Sequence, residues 1–346
     1  MKGRGINTQI GFKLQSFSKS SNSVDCSCVK KYTMEDHDSE KESLEKKNEN
    51  DPFRVRLKFS ILDLVKMLMV GVTLMPVKVL CTFLLWVVAW VLASIGMIGW
   101  DRTTPVTGWR KTLQKLVGLL GRTSMFCLGF HYVKQTGRQC SKDEAPVLVV
   151  APHSSFFDAL AIFCTGFPYF VNREENKSIP FIGKCIEFNQ AIFVSREDPN
   201  SRHKTVEEIS RRTRSQDPWS QFVIYPEGAT SNRKAILHFK PGGFIPGMPV
   251  QPVLMRYPNH HDTISWTWDQ PHGVALCILY TVCQLHVYAE MEFLPPYIPS
   301  EEEKKDPQLF ADNVRKVMAE AAGIPLCDMS FEQVKAKYTK KKKKVE

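Results

Sequence analysis

The chain has 346 residues and a mass of 39.5 kDa, room for one large domain or two ordinary ones. Hydrophobic residues make up 43% and charged residues 24%, which excludes a chain disordered throughout. Lys and Arg number 46 against 36 Asp and Glu, and the formal net charge of +10 suits an anionic partner, either nucleic acid or a membrane surface. The 10 Cys include no C-x-x-C pair, which argues against a zinc ribbon or a thioredoxin-type motif. A chain this long needs no disulfide framework, so reduced thiols in a cytosol-facing protein are expected.

Residues 1–51 are polar, rich in Ser, Lys, Glu and Asn, and contain no apolar h-region, so a disordered tail without a secretory signal is expected. Asp36, Asp38 and Glu40 alternate like the start of a calcium loop, but the Gly and the terminal Glu of such a loop are missing. A solvated acidic run accounts for them. Residues 67–100 carry one charge, Lys78. The uninterrupted apolar part, residues 79–100, is long enough to span about 33 Å as a helix, against a hydrocarbon core of about 30 Å. Trp86, Trp90 and Trp100 are interfacial anchors on this reading. Residues 67–77 are too short to cross alone. They fit the first arm of a hairpin bent at Met75-Pro76. A buried core helix is the plainer alternative. Arg102, Arg110, Lys111, Lys115 and Arg122 then alternate with leucines, predicting an amphipathic helix flat on anionic headgroups with its domain on the cytosolic side.

Residues 146–151, PVLVVA, read as a buried strand ending in Pro152-His153-Ser154-Ser155-Phe156-Phe157-Asp158. A helical run follows. On a continuous helix His153 and Asp158 would point about 140° apart, so they meet only if His153 lies in the turn and Asp158 in the first helical turn. Ser154 or Ser155 would be the N-cap. That is the base and orienter of acyl transfer without a serine nucleophile. One H-x4-D pair alone is weak, and a histidine that merely caps a helix fits it too. A second strand, Phe222-Val223-Ile224-Tyr225, ends in Pro226-Glu227-Gly228-Ala229-Thr230. A third, Ala191-Ile192-Phe193-Val194, ends in Ser195-Arg196, and Asp198-Pro199 starts a helix. Ligands of α/β sheets gather where strand C-termini open into loops, so neighbouring strands would make one cleft.

With these blocks the sequence resembles the glycerolipid (1-acylglycerol-3-phosphate) acyltransferase family. The H-x4-D block is His153 with Asp158, and Phe193-Val194-Ser195-Arg196 matches the second block. Tyr225-Pro226-Glu227-Gly228-Ala229-Thr230 matches the third and Pro249-Val250-Gln251-Pro252-Val253 the fourth. Phe239-Lys240-Pro241-Gly242-Gly243, Arg256-Tyr257-Pro258-Asn259, Asp262-Thr263 and Trp266-Thr267-Trp268 are similar to the lysophosphatidylcholine acyltransferase branch. The resemblance implies transfer of an acyl chain from acyl-CoA, a co-substrate, to a lysophospholipid, with no cofactor and no metal. It implies His153 as general base and Asp158 as its orienter. Arg196, Glu227 and Gly228 would place the acceptor, with Thr230, Arg233 and Lys240 as further contacts to phosphate or CoA. Gln190 stands where the family usually has Gly, and Ser195 where Asp is frequent, which puts the headgroup in question. Lysophosphatidic acid and lysophosphatidylethanolamine are the rival acceptors to lysophosphatidylcholine.

The expected fold is α/β, a central mixed sheet flanked by helices, with an N-terminal membrane helix or helical hairpin. Residues 52–123 form the membrane-anchoring helical region, 124–330 the α/β acyltransferase domain and 331–346 a basic tail. Residues 274–285 read as an apolar helix that packs on the sheet or grazes the membrane, residues 287–293 as a half-buried strand and residues 306–322 as an amphipathic helix. Lys343 and Lys344 of the final KKVE resemble a dilysine signal read by a retrieval coat, which implies the endoplasmic-reticulum membrane. No EF-hand loop follows, so no calcium control is expected. A G-x-S-x-G elbow is absent, which disfavours a hydrolase. No nucleic-acid motif accompanies the charge. A catalytically silent lipid-binding scaffold remains the alternative from another class.

Overall fold

The structure is a computed structural model, and it describes residues 51–195, 199–269, 273–329 and 331–342. The tail with its acidic run, Arg196 to Asp198, and Lys343 with Lys344 lie outside them. Three helices come first: α1 (Ile61–Thr73), α2 (Met75–Gly96) and α3 (Gly108–Leu128). Strands β1 (Val133–Thr136) and β2 (Val147–Ala151) follow, then a 3-10 turn, Phe156–Asp158, leading into α4 (Ala159–Cys164). Next come β3 (Tyr169–Arg173), α5 (Ile182–Phe188), β4 (Ile192–Val194), α6 (Pro199–Arg214), β5 (Phe222–Ile224), β6 (Ile236–Leu237) and β7 (Val250–Arg256). The chain continues through α7 (Val274–Val282), β8 (Ala289–Phe293), α8 (Glu301–Lys305), α9 (Pro307–Ala322), β9 (Leu326–Cys327) and α10 (Phe331–Lys342).

Seven strands form one sheet in the order β1-β8-β7-β2-β5-β3-β4. Strands β7, β2, β5, β3 and β4 run parallel. Strand β8 pairs antiparallel with β7 and parallel with β1, so the sheet is mixed, as expected. Helices cover both faces, and the strand side chains alternate between them. Leu148, Val150, Val223, Val253 and Met255 pack in one core with Ala89 and Ala93 of α2, Val117 of α3 and Leu160 of α4. Val147, Val149, Phe222 and Leu254 face the other, with Ile209 of α6 and Phe310, Val314 and Met318 of α9. A small third cluster joins Phe53 to Ala229, Leu237, Val334 and Tyr338.

The bend at Met75-Pro76 does not reverse the chain. Leu74 stays in right-handed helical geometry; its N–H donates to Val70 and its carbonyl accepts from Lys78, both at 2.9 Å. Helices α1 and α2 are thus one kinked rod, bent where Pro76 has no N–H to give. Helix α2 is long and apolar enough to cross a membrane, with 17% of its most apolar stretch buried. It packs along the domain over its whole length. Lys78 Nζ donates to the carbonyls of Val282 (3.1 Å) and Gln284 (2.6 Å). Phe83 and Trp90 meet Phe181 edge-on, and Trp86 meets Phe163. A Cβ on Gly96 would stand 2.4 Å from Phe188, so only glycine permits that approach. At the far end Arg110 donates to the carbonyls of Gly96 (3.1 Å) and Ile98 (2.8 Å).

Helix α3 departs in part from the polarity read from sequence, with Lys115 exposed and Val117, Leu113 and Leu120 turned to the core as read, and other positions not. Its buried face is Gln114, Val117, Gly118, Gly121, Ser124 and Met125. Arg110, Lys111 and Arg122 turn inward to carbonyls or polar side chains, while Trp109, Leu116, Leu119 and Phe126 point outward. The reason is that helix ends and loops inside the fold offer free carbonyls, which attract cations more firmly than solvent does. Outward apolar side chains on α1 (Ile61, Leu62, Leu68, Val72), α2 (Val79, Leu80, Leu84, Val88) and α7 (Val274, Leu276, Ile278, Leu279) add to the same exposed apolar character. Helix α7 combines both readings, since Cys277, Thr281 and Val282 face the core.

Candidate active site

The site lies at the C-terminal ends of β2 and β5, which are adjacent parallel strands. After β2 the chain turns at Pro152, and Ser155 caps the 3-10 turn by accepting the N–H of Phe157 at 3.2 Å. His153 is therefore before the helix and Asp158 in its first turn. The His153 Nδ1 to Asp158 Oδ2 distance is 2.7 Å. The same oxygen accepts the N–H groups of Ser154 (2.5 Å) and Ser155 (3.1 Å). Asp158 Oδ1 accepts the phenol of Tyr257 at 2.7 Å, and the Asp158 carbonyl accepts that of Tyr225, also at 2.7 Å. The Tyr225 ring lies 4.6 Å from the imidazole at a 31° tilt. Asp158 is 1% exposed and the His153 side chain 22%. With Nδ1 on the carboxylate, Nε2 is the nitrogen left to meet a reactant.

Glu227 has a different part from the one its motif implies. It is buried, and its carboxylate accepts the N–H of His153 at 2.5 Å and that of Leu237 at 2.7 Å. It clamps the backbone of the catalytic turn to β6. Burial pushes its pKa up to about 7, against the pull of those two N–H donors. Ser231 N–H donates to the His153 carbonyl at 2.8 Å, so both backbone groups of the histidine are gripped by the loop after β5. Trp266 N–H donates to the Ser154 carbonyl at 3.0 Å, and the Thr230 hydroxyl donates to the Trp266 carbonyl. Three loops are thereby joined.

The other expected residues are divided. Gly228 has φ +60°, and the Lys240 Cε and Nζ atoms would come within 3.0 Å of a Cβ there. Glycine gives this turn its left-handed backbone, and the ammonium lies over it. Thr230 and Lys240 thus border the turn that carries Glu227. The guanidinium of Arg233 is engaged by Ser265 Oγ and Asp262 Oδ1, each at 2.8 Å, and lies 5.2 Å from the Tyr257 ring centre. Arg196 lies outside the described residues. The strand leading to it, β4, stands three places from β2, roughly 14 Å away at ordinary strand spacing. Gln190, in place of the family's Gly, keeps a left-handed φ of 69°. Its amide accepts from the Val106 N–H (3.2 Å) and donates to the Thr104 carbonyl (3.0 Å). It fastens the segment between α2 and α3.

Only one of the paired phenylalanines points outward: Phe156 is 40% exposed, while Phe157 is buried against Phe130. Tyr225 and Tyr257, each directly after a buried strand, both donate to Asp158, and sequence reasoning left them without a role. No group of three or more His, Cys, Asp or Glu side chains among the described residues could hold a metal ion.

Residues 132–256 match the family described as Acyltransferase. Lysophosphatidylcholine acyltransferase 1 of Danio rerio is 46% identical over 284 residues, 82% of this chain and 54% of its own length. Lysophosphatidylcholine acyltransferase of Drosophila melanogaster is 44% identical over 86% of this chain and 57% of its own. Lysophospholipid acyltransferase LPCAT4 of Mus musculus is 48% identical over 81% and 54%. The chain thus spans about half the length of the curated relatives it matches. The crystal structure of the 1-acyl-sn-glycerophosphate (LPA) acyltransferase PlsC from Thermotoga maritima superposes with a TM-score of 0.44 at 18% identity, covering 71% of this chain and 95% of that one. By sequence, residues 132–256 are similar to the Acyltransferase family, and most of the chain is similar to lysophosphatidylcholine acyltransferases.

Proposed function

We propose that the protein transfers a fatty acyl chain from acyl-CoA to the free hydroxyl of a lysophospholipid, with lysophosphatidylcholine the first candidate acceptor. The observation that carries this is the part-exposed imidazole of His153, fixed at Nδ1 by the buried Asp158 carboxylate. Nε2 takes the proton of the glycerol hydroxyl as its oxygen attacks the thioester carbonyl. The CoA thiolate leaves and takes up a proton, the imidazolium being the nearest source. The thioester is already activated, so positioning and proton transfer suffice for the chemistry. Lys240 beside Gly228 offers a cation at the mouth for a phosphate of either substrate. Micelles of a lysolipid panel with labelled oleoyl-CoA test the reading. Label is expected in phosphatidylcholine first; no label in any acceptor overturns it.

The membrane is the natural medium for such a substrate, since each buried methylene favours the bilayer by about 0.8 kcal/mol. Helix α2 is flanked by domain side chains from Met75 to Ile98, so the domain itself would have to enter the bilayer if α2 crossed it. The kinked rod of α1 and α2 therefore enters one leaflet on this proposal, with α7 and the outer side of α3 beside it. On this proposal the domain faces the cytosol, where unpaired thiols stay reduced. The endoplasmic-reticulum address rests on Lys343 and Lys344 alone. Protease protection of tags at both ends in sealed microsomes checks the topology: both ends are expected to be cleaved.

A further inference from the structure

The Asp158 carboxylate is held by four donors, and one of them comes from far along the chain. Tyr257 follows β7, 99 residues beyond Asp158, and its hydroxyl donates to Oδ1 at 2.7 Å. The ring is 6% exposed. Phe130 meets it edge-on at 6.3 Å, and the Arg233 guanidinium lies over it at 5.2 Å. That guanidinium is itself fixed by Asp262 and Ser265. The phenol therefore has one orientation, and it points at the oxygen that His153 does not use. We propose that Tyr257 is a positioning residue of the reaction: its hydroxyl sets both the direction and the electron density of the Asp158 carboxylate, and through it the basicity of His153. This rests on the acyltransferase reading above.

The sign follows from elementary electrostatics. A donor on Oδ1 draws charge from the carboxylate, which then stabilises the imidazolium less. Removing the donor should make His153 more basic and leave its ring less firmly aimed. The other groups facing this pair are Tyr225 and Glu227 from the end of β5, Lys240 over Gly228, and Arg233 behind Tyr257. All of them stay in place when only the Tyr257 hydroxyl changes. Glu227, raised to about 7, adds its own titration to the profile, so the informative quantity is the difference between two profiles.

Tyr257→Phe is expected to lower kcat about tenfold to a hundredfold, the span of one hydrogen bond to a charged group, with KM for acyl-CoA unchanged. The acid limb of its kcat/KM profile should move to higher pH. Replacing Tyr257 with 3-fluorotyrosine keeps the shape and strengthens the donor, and should move that limb to lower pH. A residue that serves only packing would cost stability and leave both limbs where they are; that result overturns the proposal. Should Tyr257→Phe not fold, the fluorinated protein decides alone by the same criterion. Titration of the ¹⁵N-labelled His153 imidazole in wild type and variant gives the same answer without turnover. If the wild type transfers no acyl chain, the function reading fails while this titration still tests Tyr257.

Discussion

The His153–Asp158 turn and the α1–α2 rod are built on opposite rules. Around Asp158 the polar groups are buried and matched: four donors meet one carboxylate, and Glu227 accepts two backbone N–H groups. Along α1 and α2 the large apolar side chains point outward, with Ile61 at 82% and Leu80 at 57% exposure, while Lys78, the ammonium of α2, is turned inward to carbonyls and Lys66 of α1 stays exposed. A face of that kind is stable where the surrounding medium is hydrocarbon. On the proposed reading one molecule is folded for two solvents, and His153 sits in the part folded for water, beside the part that is not.

The two regions should fail separately. Leu80→Asp with Leu84→Asp adds charge to the outer face of α2, and each charge costs about 3 kcal/mol in hydrocarbon. Flotation with vesicles should show membrane binding lost, while activity in detergent micelles survives. His153→Ala should do the reverse. Turnover is expected to fall at least about 10²-fold with flotation unchanged. If either variant damages both properties equally, the separation is wrong.

Glu227 sharpens the comparison through pH. Its folded pKa is raised, from the ordinary 4.5 to about 7, so its contribution to stability is fully present below about 4.5 and is lost as pH rises through about 7. Thermal unfolding of wild type against Glu227→Gln should show the wild type losing relative stability across that window, on the order of 3 kcal/mol in all. A difference that is flat with pH contradicts the buried carboxylate. A smaller effect belongs to Gln190→Ala. Loss of its two amide bonds to Thr104 and Val106 should cost about 1–2 kcal/mol, read as a lower unfolding temperature with the pH profile of activity unmoved.

Much of this was legible in the residues. PVLVVA had to be a strand buried on both faces, and it is; the turn geometry of His153 and Asp158 followed from helix periodicity alone. The alternation of Ala289, Met291 and Phe293 inward matches the half-buried strand β8. What sequence could not give was partnership across distance. The match of Tyr257 to Asp158 spans 99 residues, and nothing local to either announces it. The family resemblance assigned Glu227 to the acceptor; that its carboxylate also closes on the His153 backbone is visible only once β2 and β5 lie side by side. The cations of α3 misled for a related reason, since the carbonyls that attract them belong to segments read separately.

The central claim is that His153 delivers the acceptor hydroxyl directly to the thioester, with no acyl-enzyme between. Stopped-flow release of CoA from oleoyl-CoA tests it most directly, with and without lysophosphatidylcholine, in wild type and in His153→Ala. The account predicts release only when the acceptor is present, and almost none from the variant. A burst of CoA without acceptor, or undiminished release from the variant, would contradict it.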